Sequence, residues 1–101
     1  MKMLYINFNI STLPAIMKII NDNGIHDYQI VDKALSINRK GDPRLDNAVW
    51  PGYNSLIFIP CKNNEKADLV LKNIKLHNKN AFTDDEIITA CKWDIEEYIY
   101  E

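Results

Sequence analysis

Glycine is scarce in this sequence: Gly24, Gly41 and Gly52 are the only three in 101 residues. None lies in residues 79–85, where Asp84 and Asp85 stand. Without glycine the backbone amides there cannot come close to a polyphosphate, and two carboxylates repel one. A glycine-rich phosphate cradle is therefore excluded at that point. Cysteine is also sparse. Cys61 and Cys91 make no disulfide framework, and with His26 and His77 they show no metal-ligand spacing, so no metal site is expected. No apolar run approaches the ~20 residues that span a bilayer. The first residues lack the apolar block and small-residue cleavage site of a secretion signal. The expected compartment is a reducing cytoplasm. Positive charge is not in excess, with a formal net charge of −2, which argues against nucleic acid as a partner. Carboxylates adjoin at 84–85 and 96–97, but sequence neighbours seldom converge on one substrate. No catalytic set is expected, and the chain is not expected to be an enzyme.

What remains is an ordinary globular composition, 47% hydrophobic and 26% charged, and a length that implies one domain over residues 1–101. Residues 3–9 alternate as a short strand with both faces at least partly buried. Ser11-Thr12 offers a helix cap, and Leu13, Ile16, Met17 and Ile20 follow as one apolar stripe. Asn23-Gly24 stops that helix. Residues 28–38 are expected as a long second strand, with charge on both faces that invites a bulge. Residues 53–59 carry the strongest strand signal, ended by Pro60. Asn63 or Asn64 caps a second helix with Ala67, Val70, Leu71 and Ile74 on one face, fading near residues 76–78. Residues 78–85 are a polar loop, and 86–93 a fourth strand. Residues 94–100 form a short tail, either a helical turn or an added edge strand.

This order predicts an α+β, ferredoxin-like βαββαβ fold: an antiparallel four-stranded sheet with two helices on one face. Apolar residues occur at both parities of strands one, three and four. The helix-free face should therefore be apolar too, and its simplest cover is another copy of the chain.

The long connection at 39–52 is where function is expected. Such loops in small domains are usually functional or disordered. Gly41, Asp42 and Pro43 are turn formers. Arg39, Lys40 and Arg44 are candidate contacts to a phosphate or an acidic patch, arginine being suited to bidentate contacts; the competing reading is a solvated, charge-rich loop. Trp50 is a candidate partner anchor or cleft lid; the alternative is that it packs the loop base onto a neighbouring subunit.

The element order, the long loop and the two-faced sheet resemble the P-II-like superfamily, which includes the P-II nitrogen regulators and the CutA proteins. The local matches are Trp50-Pro51-Gly52-Tyr53-Asn54 entering strand three, and the run from Ile88 to Ile99 in which the last strand passes into an acidic-apolar turn. The resemblance implies a homotrimer with its sheets facing inward. It also implies a small effector, of the nucleotide class, in clefts between subunits, and a target protein such as a membrane transporter or an enzyme engaged by loop 39–52. The glycine-free 79–85 segment departs from the P-II nitrogen regulators, as does the position of Tyr53 at a strand edge, where no modifiable loop tyrosine is evident. The resemblance is thus to an uncharacterised P-II-like branch. Two alternatives stand beside it: a dimeric ferredoxin-like domain whose aromatic residues line a small-molecule pocket, and a CutA-like metal-binding protein.

Overall fold

The structure, a computed structural model, describes residues 1–101. Its elements are β1 (Lys2–Asn9), α1 (Leu13–Asp22), β2 (Gln29–Ala34), β3 (Asn54–Cys61), α2 (Asn64–Lys79) and β4 (Thr89–Asp94). The sheet is antiparallel with order β2-β3-β1-β4, so the ferredoxin-like expectation holds.

Strand alternation sorts the side chains into two faces. Leu4, Ile6 and Phe8 of β1 and Ile57, Ile59 and Cys61 of β3 point to the helices, where they meet Ile16 and Ile20 of α1 and Ala67, Val70 and Ile74 of α2. The alternate residues Met3, Tyr5, Leu56, Phe58 and Pro60 form the other face, which no element of the chain covers. Register places Cys91 and Trp93 of β4 beside Tyr5 and Met3 on that face, and Val31 of β2 beside Leu56. Trp93 and Val31 are 46% and 43% exposed. The rings of Tyr5 and Phe58 pack at 5.6 Å.

Several boundaries differ from expectation. The second strand is shorter than 28–38: its register against β3 shifts between Val31 and Ala34. The Ser55 hydroxyl donates to the Val31 carbonyl at 2.8 Å, replacing a ladder bond lost at the shift. Pro60 does not end β3. It pairs with Met3 beyond the point where β2 begins opposite Phe58; there β3 has lost its second neighbour, and an edge position tolerates proline. A 3₁₀ turn at Ile10–Thr12 precedes α1, and its cap is the Asn9 side chain, which accepts from Ser11 N; Thr12 stands at the N-cap of α1, as expected, but its side chain makes no capping hydrogen bond. Asn63 caps α2 as expected, accepting from the amides of Glu65 and Lys66. Helix α2 runs on to Lys79 because Asn78 is held on both sides: its side chain donates to the Ile88 carbonyl and accepts from the Ile88 amide, each at 2.8 Å. The last strand starts at Thr89, three residues later than expected, since Asp84–Glu86 form a 3₁₀ turn. Residues 95–101 form neither helix nor strand.

Candidate functional site

Loop 39–52 proves to be two folded pieces. Ser36 and Arg44 exchange both backbone hydrogen bonds, at 2.8 and 2.7 Å, and close a short tip that holds Arg39, Lys40 and Gly41. The second piece, residues 45–52, curls on itself. Asp46 N donates to the Gly52 carbonyl at 2.9 Å and Asn47 N to the Trp50 carbonyl at 3.1 Å. The Asn47 side chain accepts from the amides of Val49 and Trp50 at 3.1 and 2.7 Å, the self-bonding habit that makes asparagine a turn former. Asp46 takes a left-handed backbone, φ 52°, and its carboxylate receives Lys33 Nζ at 2.6 Å. That hydrogen bond, with the negative charge behind it, raises the pKa of Lys33. Its ammonium also lies over the Tyr53 ring, 5.0 Å from the centroid.

Arg44 joins this loop to the α2–β4 connection. Its guanidinium donates to Asn54 Oδ1 at 2.9 Å, to the Asp85 carboxylate at 3.0 Å and to the Asp85 carbonyl at 3.3 Å. Arg44 is 4% exposed, so its charge must be answered locally, and Asp85 answers it. The tip comes so close that a Cβ on Gly41 would sit 2.8 Å from Asp85 Oδ1; Gly41 also has φ +81°, so only glycine fits there without strain. Asn54 passes the contact inward, donating to Asn7 Oδ1 at 2.6 Å, while Asn7 donates to the Tyr5 hydroxyl at 3.0 Å. A continuous polar chain therefore runs from Asp85 through Arg44, Asn54 and Asn7 to Tyr5 on the uncovered sheet face.

The α2–β4 connection is itself folded around a carboxylate. Glu86 accepts from the Phe82 amide, the Thr83 amide and the Thr83 hydroxyl at 3.0, 2.9 and 3.3 Å, and His77 Nε2 lies 2.9 Å from the Glu86 carbonyl. The Phe82 and Thr83 amides are thus occupied by the chain's own Glu86 side chain.

Two clefts flank the Arg44–Asp85 pair. One, of ≈ 200 Å³, lies between Trp50, Pro43, Asn9 and Asp85; the other, of ≈ 160 Å³, between Arg39, Lys40, Asp84 and Thr89. Asn9 and Thr89 both belong to the uncovered side of the sheet, so both clefts border it. The four residues singled out in the sequence are thus brought to one end of the molecule, but in different roles. Arg39 and Lys40 line one cleft, Trp50 the other, and Arg44 is turned inward between them with its donors spent on Asn54 and Asp85. Asp85, Asn54 and Asn7 were not among the site residues the sequence pointed to. The signal for the last two was an asparagine inside an otherwise apolar strand; Asp85 had none, since its partner is 41 positions away. His26, His77, Cys61 and Cys91 lie apart, and no three metal-binding side chains gather anywhere. Burial pushes the Cys61 thiol pKa up.

The chain matches no family model and no curated protein. Solved structures do match. Structures of CPII from Thiomonas intermedia K12 superpose with a TM-score of 0.67 at 11% identity for the form bound to ADP and bicarbonate. The form bound to ADP, AMP and acetate gives 0.64 at 14%. Each alignment covers 95% of this chain and 88% of the other. A third CPII structure, described as a nitrogen regulatory PII-like protein and bound to ADP, AMP and bicarbonate, gives 0.61 at 13% over 97% and 94% of the two chains. This chain therefore has the PII-like fold, as its resemblance implied.

Proposed function

We propose that this protein is a non-catalytic PII-like regulator of the cytoplasm, a homotrimer that takes an adenine nucleotide in clefts between subunits and meets a target protein through residues 39–52. The observation that carries the reading is that both clefts border the uncovered apolar face. A copy packed on that face would also wall the clefts, making each site a joint property of two subunits. The nucleotides held by the CPII structures supply the ligand class. Arg39 and Lys40 offer charge to a phosphate, and Trp50 a flat surface to a base or a partner side chain. The effector works as a switch only if it binds two states of the loop unequally; the Ser36–Arg44 closure and the Arg44–Asp85 contact define one such state. A target, for which a transporter or an enzyme is the expectation, would then read the exposed Val49 and the tip.

Native mass spectrometry of the purified chain tests this, with and without added ADP or AMP. The expected species has three times the 11.7 kDa chain mass and gains nucleotide. Replacing Arg39 and Lys40 together by Ala should leave the trimer and weaken nucleotide binding at least tenfold. A monomer or dimer at micromolar concentration overturns the assembly, and a trimer indifferent to ADP and AMP overturns the ligand.

A further inference from the structure

The outer face of α2 carries charge and apolar surface that the proposed effector site does not use. Leu69 and Leu76, one heptad apart, are 50% and 58% exposed. Lys72, Lys75 and Lys79 are exposed around them, and none joins any of the chain's ion pairs. With Asn73 these residues line a shallow groove of ≈ 390 Å³. It forms a basic strip with an apolar floor in a chain of net charge −2, on the side of the molecule opposite the uncovered sheet face.

Residues 95–101 have the complementary character. Glu96, Glu97 and Glu101 make no ion pair, and the segment contains no basic residue. Ile99 and Tyr100 are 76% and 65% exposed. Three unpaired carboxylates with exposed apolar neighbours thus match three unpaired ammonium groups around two exposed leucines. The segment is anchored far from its own strip. Ile95 N donates to the Met1 carbonyl at 3.0 Å, and Tyr100 stacks under Lys62, 5.4 Å from the ammonium. Lys62 precedes the first turn of α2, whereas Lys72 to Lys79 lie roughly 12–22 Å further along it at ~1.5 Å per residue.

We propose that the groove on α2 between Leu69 and Leu76 receives residues 95–101 of a second copy of this chain. Ile99 and a tyrosine would cover the leucines, and Glu96, Glu97 and Glu101 would face Lys72, Lys75 and Lys79. Opposed charge selects the pairing and its direction, and burial of the leucines supplies the driving force. Because the strip lies on the helix side, this contact is independent of any assembly through the sheet face.

A carbodiimide joins a lysine amine directly to a carboxylate in contact with it. Applied to a mixture of nitrogen-14 and nitrogen-15 protein, it separates contacts between chains from those within one. The expected result is mixed-isotope peptide pairs linking Lys72, Lys75 or Lys79 to Glu96, Glu97 or Glu101. Same-isotope pairs at Lys2–Asp94 and Lys92–Asp68, which are ion pairs within the chain, confirm the reagent. Raising salt from 0.05 to 0.5 M should cut the mixed pairs about tenfold, since the Debye length falls from roughly 14 Å to about 4 Å. The double variant Leu69→Gln, Leu76→Gln keeps every reactive group, adds no carboxylate or amine, and should do the same. Tail-to-helix pairs that are absent, or only same-isotope, overturn the proposal. So would mixed pairs unchanged in that variant, or the same lysines instead carrying the chain onto phosphatidylglycerol vesicles with no mixed pairs formed.

Discussion

On the helix side of the sheet, Leu4, Ile6, Phe8, Ile57 and Ile59 are at most 1% exposed. On the other side their chain neighbours Met3, Tyr5, Leu56 and Phe58 remain partly open. The same strands supply both faces, and the residues differ little in polarity. What differs is the cover: α1 and α2 close one face, and the chain brings nothing to the other. Apolar content within a strand therefore reports that a face will be buried, not by what. The uncovered face also carries the only long polar chain in the sheet, Tyr5–Asn7–Asn54–Arg44–Asp85, which ends between the two clefts. Packing on that face and the closure of the two loops are physically continuous.

The sharpest break of this comparison pairs Phe8 with Phe58. Phe8→Ala should cost about 3–5 kcal/mol in urea unfolding at any protein concentration, the usual effect of emptying a closed core. Phe58→Ala should cost an isolated chain only about 1 kcal/mol while abolishing the concentration dependence of the midpoint. Equal losses at all concentrations would mean that both faces are internal to one chain.

Arg44→Ala should cost about 2–3 kcal/mol by leaving Asn54 and Asp85 without their donor, with half-exposed Asp85 relieved by water. Arg44→Lys should recover less than half, since one ammonium cannot serve both partners. Full recovery by lysine would reduce the contact to simple charge. Gly41→Ala should cost about 1–2 kcal/mol through the left-handed backbone and the approach to Asp85. In an Asp85→Gly background the steric part should vanish and the backbone part persist; an unchanged penalty would show that Asp85 is not what crowds it.

The smallest effect is electrostatic. Asp94 has its pKa lowered by the hydrogen bond from Lys2, so its contribution is present above the ordinary value of 3.8 and is lost as the pH falls below it. Lys33, raised by Asp46, works oppositely: its contribution is present below 10.5 and is lost as the pH rises through the lysine range. Lys2→Met should flatten the acid limb of the stability profile and leave the alkaline limb alone. A change confined to the alkaline side would rule the Lys2–Asp94 assignment out.

Element order and face assignment were legible because they rest on local periodicity, and every apolar stripe named from the sequence faces the core. Boundaries failed where a tertiary partner intervened: Asn78 bonding Ile88 extends α2, and the absence of a β2 neighbour spares Pro60. The clefts were legible only in part. Arg39, Lys40 and Trp50 announced themselves as exposed residue types in a long loop. Arg44 looked the same from its neighbours, and only its burial against Asp85 separates it from them.

By itself the sequence determined the alternation of the four strands, the stripes of the two helices, and the paucity of glycine that removes a phosphate cradle from residues 79–85. These are properties of a residue and its near neighbours, set by side-chain size, polarity and backbone freedom. The tertiary structure alone decided that loop 39–52 folds into two pieces, that one basic residue of three is spent as an internal clamp, and that two clefts open beside an uncovered sheet face. Each of those depends on groups tens of positions apart meeting within hydrogen-bond distance, and charge and geometry at that range are settled only when the chain has folded.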